Sequence, residues 1–342
     1  MTIATSDHTA PLVVVVGITG NQGGSVARAL IESDRAYRIR GLTRDVDKPA
    51  AKAFAEQGVE LVQVALTVGN EGAARAAFAG ADIVFVSVPA TELEEQDLIH
   101  AQSVTNFGEH ADYEREVAEG KLIVDAAKLS SPSLKLFIWS GIESVTELSG
   151  GRLSNAKFFD SKAVVTAYAR DSGIPLAVVE AGYYMDNIFN AVSSALVAKG
   201  ASAYTFGFPM AKGTLLPFID VAGDYGLYVR AAIERPELGA GSEVLSGTIL
   251  EIGDAIRQLA EFSGKNIVYE PISIEQFAES FPYKPVVPIL SDMYQFYESI
   301  GYYGAKKPSP ATILVRRPKT WREYLEGLGR DEVVRRLGLG NA

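Results

Sequence analysis

The chain has 342 residues, about two domains of material, and its 47% hydrophobic and 22% charged composition supports a buried core and excludes a mainly disordered polymer. With 32 Lys+Arg against 42 Asp+Glu the net charge is −10, a poor basis for gripping bare nucleic acid through its phosphates. Cysteine is absent, which removes disulfides, thiolate metal sites and cysteine nucleophiles; His8, His100 and His110 do not form a metal-ligand pattern, so no metal is expected.

The opening MTIATSDHTAP carries no basic leader, and no stretch approaches the ~20 apolar residues of a membrane span. A cytoplasmic protein is expected, or a nuclear one if it regulates transcription.

Leu12–Val16 is a continuous β-branched run, the mark of a strand buried on both faces of a parallel sheet. It enters the turn Gly17-Ile18-Thr19-Gly20-Asn21-Gln22-Gly23-Gly24, after which Val26, Ala29 and Leu30 fall on one helical face. A second strand is expected over Arg38–Thr43, a helix over 50–57, a short strand over 60–64, a helix over Glu71–Phe78 and an apolar strand over 83–88. A long polar segment from Thr91 to Tyr113 reads as a lid, and a crossover helix follows over 113–129. Strands over 134–140 and Leu176–Glu180 flank a helix over 161–171. Strands alternating with helices at this spacing argue for right-handed βαβ units.

The expected fold is therefore α/β, a Rossmann-type doubly wound parallel sheet with a smaller α+β C-terminal lobe. Residues 1–182 form the dinucleotide-binding domain, and about 241–264 return to it as a strand and helix. Residues 183–240 and 265–342, rich in Tyr, Phe and Pro, build the lobe that meets substrate or partner. The basic run Arg316-Arg317-Pro318-Lys319 is either a solvated connection or a contact for an anionic ligand or partner.

The spacing of Gly17, Gly20 and Gly23 lies between a buried strand and a helix, where glycines permit a tight turn and a close approach of pyrophosphate to the helix N-terminus. Gly17, Thr19, Gly20, Asn21, Gln22 and Gly23 are the candidate cradle. The second strand closes on Thr43-Arg44, with Lys48 just beyond; cations there suit a ribose 2′-phosphate, so NADP(H) is preferred and NAD(H) remains possible. Ser87, Val88 and Pro89 end the fourth strand, beside the expected cofactor.

The segments VVVVGITGNQGGSVARALIE, GLTRD, WSGIESV and FFDSKAVVTAYARDSGIPLAVVEAGYYMDNIF resemble the NmrA-like family of atypical short-chain dehydrogenases/reductases over nearly the whole chain. The resemblance implies a Rossmann domain binding NAD(P) and a C-terminal lobe across the sheet edge. It also implies one of two activities: reduction of quinones, dyes, aldehydes or secondary metabolites, or non-catalytic redox sensing that regulates a transcription factor.

Short-chain dehydrogenases protonate the substrate oxygen with the Tyr of Y-x-x-x-K; here Lys162 is kept, but Phe158 stands in the tyrosine's place and has no proton to give. Lys162 is either a cofactor or catalytic lysine or an exposed helix lysine. Tyr183 and Tyr184 either face the nicotinamide or fill the core, and Asn187 either orients a carbonyl or caps a helix. Ser140 stands where the family places its active-site Ser/Thr; Glu143 is a weaker candidate. The expected function is an NADP(H)-dependent oxidoreductase reducing a small carbonyl, quinone or aromatic molecule without the usual tyrosine. The alternative is a redox sensor with a regulatory protein partner. Oligomeric state is not legible.

Overall fold

The computed structural model describes residues 4–5, 7–87, 110–130, 132–191, 195–200, 202–281 and 284–339. Val88, Pro89 and most of the expected lid lie outside the described residues. The part of the lid that is described is already helical, because the crossover helix spans His110–Ser130.

Among the described residues, seven strands build an all-parallel sheet: β1 (Leu12–Val16), β2 (Arg38–Thr43), β3 (Glu60–Gln63), β4 (Ile83–Val86), β5 (Leu136–Trp139), β6 (Leu176–Glu180) and β11 (Glu243–Leu245). Their spatial order is β3-β2-β1-β4-β5-β6-β11, so the chain starts in the middle and winds outward in both directions. The sequence of β1 explains its central place. Val13 and Val15 enter one core with Val26, Leu30 and Tyr225, while Val14 and Val16 enter another with Val84, Val124 and Val165. Each such side chain contributes roughly 1.5–3 kcal/mol relative to exposure. Helices Asn21–Ile31 and Val221–Glu234 cover the first face, and Glu71–Phe78, His110–Ser130 and Lys157–Asp171 cover the second.

The remaining strands form two small sheets. One joins β7 (Tyr183–Tyr184), β10 (Leu215–Ile219) and β12 (Thr248–Glu251); the other joins β8 (Leu196–Ala198), β9 (Ala203–Phe206) and β13 (Asn266–Tyr269). They surround an aromatic core that includes Phe206, Phe208, Phe218, Phe296 and Trp321.

The chain crosses between the cores more often than its composition suggests. Within 183–240, helix Val221–Glu234 packs on the first core; within 241–264, β11 joins the large sheet while helix Ile252–Ser263 buries Ile252, Ile256 and Leu259 in the aromatic core. The basic run is fastened internally. Arg316 reaches the fully buried Asp224 at 2.6 Å and Lys319 reaches Asp220 at 2.6 Å, while Arg317 pairs with Glu323.

Candidate active site

The glycine turn departs from β1 under strict steric control. Gly17 has φ +71°, a left-handed conformation that favours glycine, and a Cβ on Gly23 would stand 2.2 Å from the Gly17 carbonyl oxygen. Gly17 and Ile18 donate their N–H groups to Leu42 O, which fixes the turn against β2. Helix Asn21–Ile31 then begins at Gly20, where no side chain among the described residues caps it and its first turn carries no acid. Its N-terminus offers unpaired N–H donors and a positive dipole end, a setting that fits an anionic pyrophosphate.

A cleft of about 660 Å³ opens over this turn at the carboxyl ends of the strands. Gly17, Thr19, Gly20, Asn21, Gln22, Arg44, Ser87, Ser140, Lys162, Tyr183, Tyr184 and Asn187 all line it. Three of the described residues singled out from the sequence stand elsewhere. Gly23 is buried beneath the turn, and the exposed Lys48 precedes Pro49 at the start of helix Pro49–Ala55. Glu143 is turned away as well, ion-paired with Lys306.

The cleft's two sides differ in chemistry. Near the turn lie Thr43 and Arg44 at the end of β2, and Leu66 and Thr67 from the loop after β3. Across from them stand Phe158, Phe159, Met293, Tyr294, Tyr297 and Tyr302, an apolar and aromatic wall. Phe158 meets Phe159 edge to face at 4.5 Å, so the residue that replaces the usual tyrosine is part of that wall.

Lys162 enters the cleft from helix Lys157–Asp171 and pairs with Glu116 at 2.5 Å, their side chains 17% and 8% exposed. It is not an exposed helix lysine. Glu116, Glu119 and Arg115 come from the crossover helix, and the sequence reading missed all three. All three fall within the helix expected over 113–129, but which of its faces meets the cleft depends on how it packs beside helix Lys157–Asp171, which no local pattern states. Partial burial raises the carboxyl pKa of Glu119 above its ordinary value.

The adjacent tyrosines point opposite ways, as successive strand residues must. Tyr183 packs with Phe218 at 5.2 Å and Tyr297 at 6.3 Å in the aromatic core. Tyr184 turns toward the glycine turn, where Gln22 Nε2 donates to its hydroxyl at 2.6 Å. Burial pushes both phenol pKa values up; at Tyr184 the Gln22 hydrogen bond works against that rise. Ser140 is buried just after β5, and its backbone N–H donates to Val86 O at 2.9 Å.

Asn187 is the first residue of the short helix Asn187–Asn190, whose N-cap is Asp186, so it does not cap the helix and its side chain is left to the cleft. Asp160, also missed, accepts bonds from Ser144 Oγ at 2.8 Å and Thr146 Oγ1 at 2.6 Å, anchoring the loop behind Phe158.

The NmrA-like family model matches residues 9–325. An NmrA-like family domain-containing oxidoreductase of Cladobotryum sp. is 28% identical over 324 residues, covering 90% of each chain. Among solved structures, the negative transcriptional regulator NmrA in complex with NADP superposes with TM-score 0.65 at 17% identity, over 97% of this chain and 93% of that one. The same regulator is also solved with NAD. An NADPH-dependent quinone oxidoreductase of Escherichia coli gives TM-score 0.66 at 19% identity, over 93% and 99%. Among the described residues, no helix is long and apolar enough to cross a membrane.

Proposed function

The chain belongs to the NmrA-like family, and on that premise we propose that it is an NADP(H)-dependent oxidoreductase that reduces a small carbonyl, quinone or aromatic molecule. One observation carries the reading: the glycine turn, Arg44, Lys162 and Tyr184, far apart in sequence, share a single cleft with an aromatic wall. Gly17, Gly20 and the first turn of helix Asn21–Ile31 would cradle the pyrophosphate, Arg44 the 2′-phosphate, and Lys162 with Ser140 the nicotinamide-side ribose. When bound, the reduced nicotinamide supplies the hydride.

The chain's own task is then orientation and a proton. The aromatic wall excludes water and holds a flat acceptor beside the ribose-binding lysine. Tyr184 gives its phenolic proton to the acceptor's oxygen, and Gln22, already donating to that hydroxyl, steadies the phenolate left behind. Burial keeps the hydroxyl protonated until it is needed.

Calorimetric titration with NADPH, NADP⁺, NADH and NAD⁺, followed by a spectrophotometric assay of NADPH oxidation against quinones and aldehydes, tests the reading. Tight NADPH binding with turnover that falls at least tenfold in Tyr184→Phe supports it. The alternative, a non-catalytic NAD(P) redox sensor acting on a protein partner, draws on Phe158 and on the likeness to a transcriptional regulator. Preferential binding of the oxidised forms without turnover selects it.

A further inference from the structure

Gln22 Nε2 donates to the Tyr184 hydroxyl at 2.6 Å, across 162 residues of sequence. Both ends are fixed. Gln22 sits in the first turn of helix Asn21–Ile31, and Tyr184 lies in β7, in register with Ile219 of β10. The amide is used only by half, since its Oε1 is buried with no hydrogen-bond partner among the described residues. An acceptor left so carries a desolvation cost that nothing offsets. A bond serving structure alone leaves that cost standing, whereas a ligand that brings a donor removes it.

The donor's chemistry is constrained. Gln22 lines the cleft between the turn and Tyr184. Ionised phosphates carry only acceptors, so a pyrophosphate on the turn would be repelled by Oε1 rather than satisfy it. The other half of a nicotinamide dinucleotide carries ribose hydroxyls and a carboxamide N–H, all donors.

We propose that Gln22 is a two-sided positioning residue: its N–H holds Tyr184, and its Oε1 accepts from a hydroxyl or amide of the nicotinamide half. The inference rests on the dinucleotide reading above. It adds that filling the cleft and aiming the Tyr184 hydroxyl are one event, since a single amide serves both. Binding that orders Gln22 therefore orders Tyr184.

The test is binding, not turnover. NADPH and adenosine 2′,5′-bisphosphate, which lacks the nicotinamide half, are titrated calorimetrically into the wild-type protein, Gln22→Met, Tyr184→Phe and the double variant. Gln22→Met is expected to weaken NADPH about tenfold while leaving the bisphosphate within about twofold. Tyr184→Phe is expected to weaken NADPH alone and by less, and the double variant to bind no worse than Gln22→Met. Unchanged NADPH affinity, equal loss for both ligands, or losses that multiply in the double variant would overturn the assignment. Should Gln22→Met misfold by circular dichroism, Tyr184→Phe, which keeps the ring, carries the same comparison between the two ligands. Wild-type protein that binds neither ligand removes the dinucleotide reading itself and this inference with it, a failure distinct from a Gln22 variant that behaves like wild type.

Discussion

Lys162 and Glu116 meet with little of either side chain in solvent, so removing one strands the other's charge. A stranded buried charge typically costs about 3–5 kcal/mol, whereas removing both members of a pair costs far less. Lys162→Met is accordingly expected to lower stability by about 3 kcal/mol in urea unfolding, and Lys162→Met with Glu116→Gln to regain most of it. NADPH affinity is expected to stay weakened in both variants, because the ribose contact is gone from each. A double variant as unstable as the single would show that the two groups are not coupled. Lys162 was legible from its place four residues after Phe158, a chemical pattern carried by one segment. Glu116 was not, since a pairing over 46 residues depends on how two helices lie on one sheet face. The same holds for Gln22, which sequence places in the cofactor turn and the structure ties to Tyr184.

Helix Asn21–Ile31, which carries the anion-binding N-terminus, is held from outside by helix Val221–Glu234. The two approach so closely that a Cβ on Gly226 would stand 2.1 Å from the Ser25 carbonyl oxygen, and Gly226 N–H donates to Ser25 Oγ at 2.9 Å. Gly226→Ala is expected to destabilise the protein by about 1–3 kcal/mol through overpacking. It should also weaken dinucleotide binding, because the helix that must move is the one that forms the cradle. Gly72 is the control: it lies in helix Glu71–Phe78 with no atom of the described residues outside that helix's own backbone within 4 Å of its would-be Cβ, so Gly72→Ala should stabilise by roughly 0.5–1 kcal/mol. Thermal melting of the two variants decides; equal shifts would mean that the helix contact is not tight. The strands β1, β4 and β5 could be read because each is an unbroken apolar run of four or five residues, and β6 because only its last residue, Glu180, is polar. Helix Val221–Glu234 could not be placed, because ten of its residues are buried and no polar stripe says which sheet face it meets.

At the scale of the molecule, three carboxylates and one ammonium from distant segments meet beside the large sheet: Glu143 after β5, Glu180 ending β6, Glu243 opening β11, and Lys306. Lys306 contacts Glu143 and lies 2.7 Å from Glu243, closing the C-terminal segment onto the sheet. Below them Glu180 is only 2% exposed. Its pKa is pushed up to about 8, first by burial, then by Glu143 and Glu243, with Lys306 opposing. The nearby Tyr302 and Tyr303 hydroxyls, raised far by burial, stay neutral throughout. In the unfolded chain Glu180 titrates in the ordinary carboxylate range, so between that range and about pH 8 the native state binds the extra proton. This contribution is full below the unfolded pKa, declines as pH rises toward 8, and levels off above it. Each pH unit in the window is worth at most ~1.4 kcal/mol, a few kcal/mol altogether. Urea unfolding from pH 5 to 9 should therefore show a decline in the wild-type protein that Glu180→Gln flattens, with the variant the more stable above pH 8 because its amide is neutral throughout. An unchanged slope in Glu180→Gln would mean that the proton is held elsewhere. A slope that is lost together with NADPH affinity would mean that the junction also shapes the cleft, whose wall includes Tyr302 from the segment Lys306 fastens.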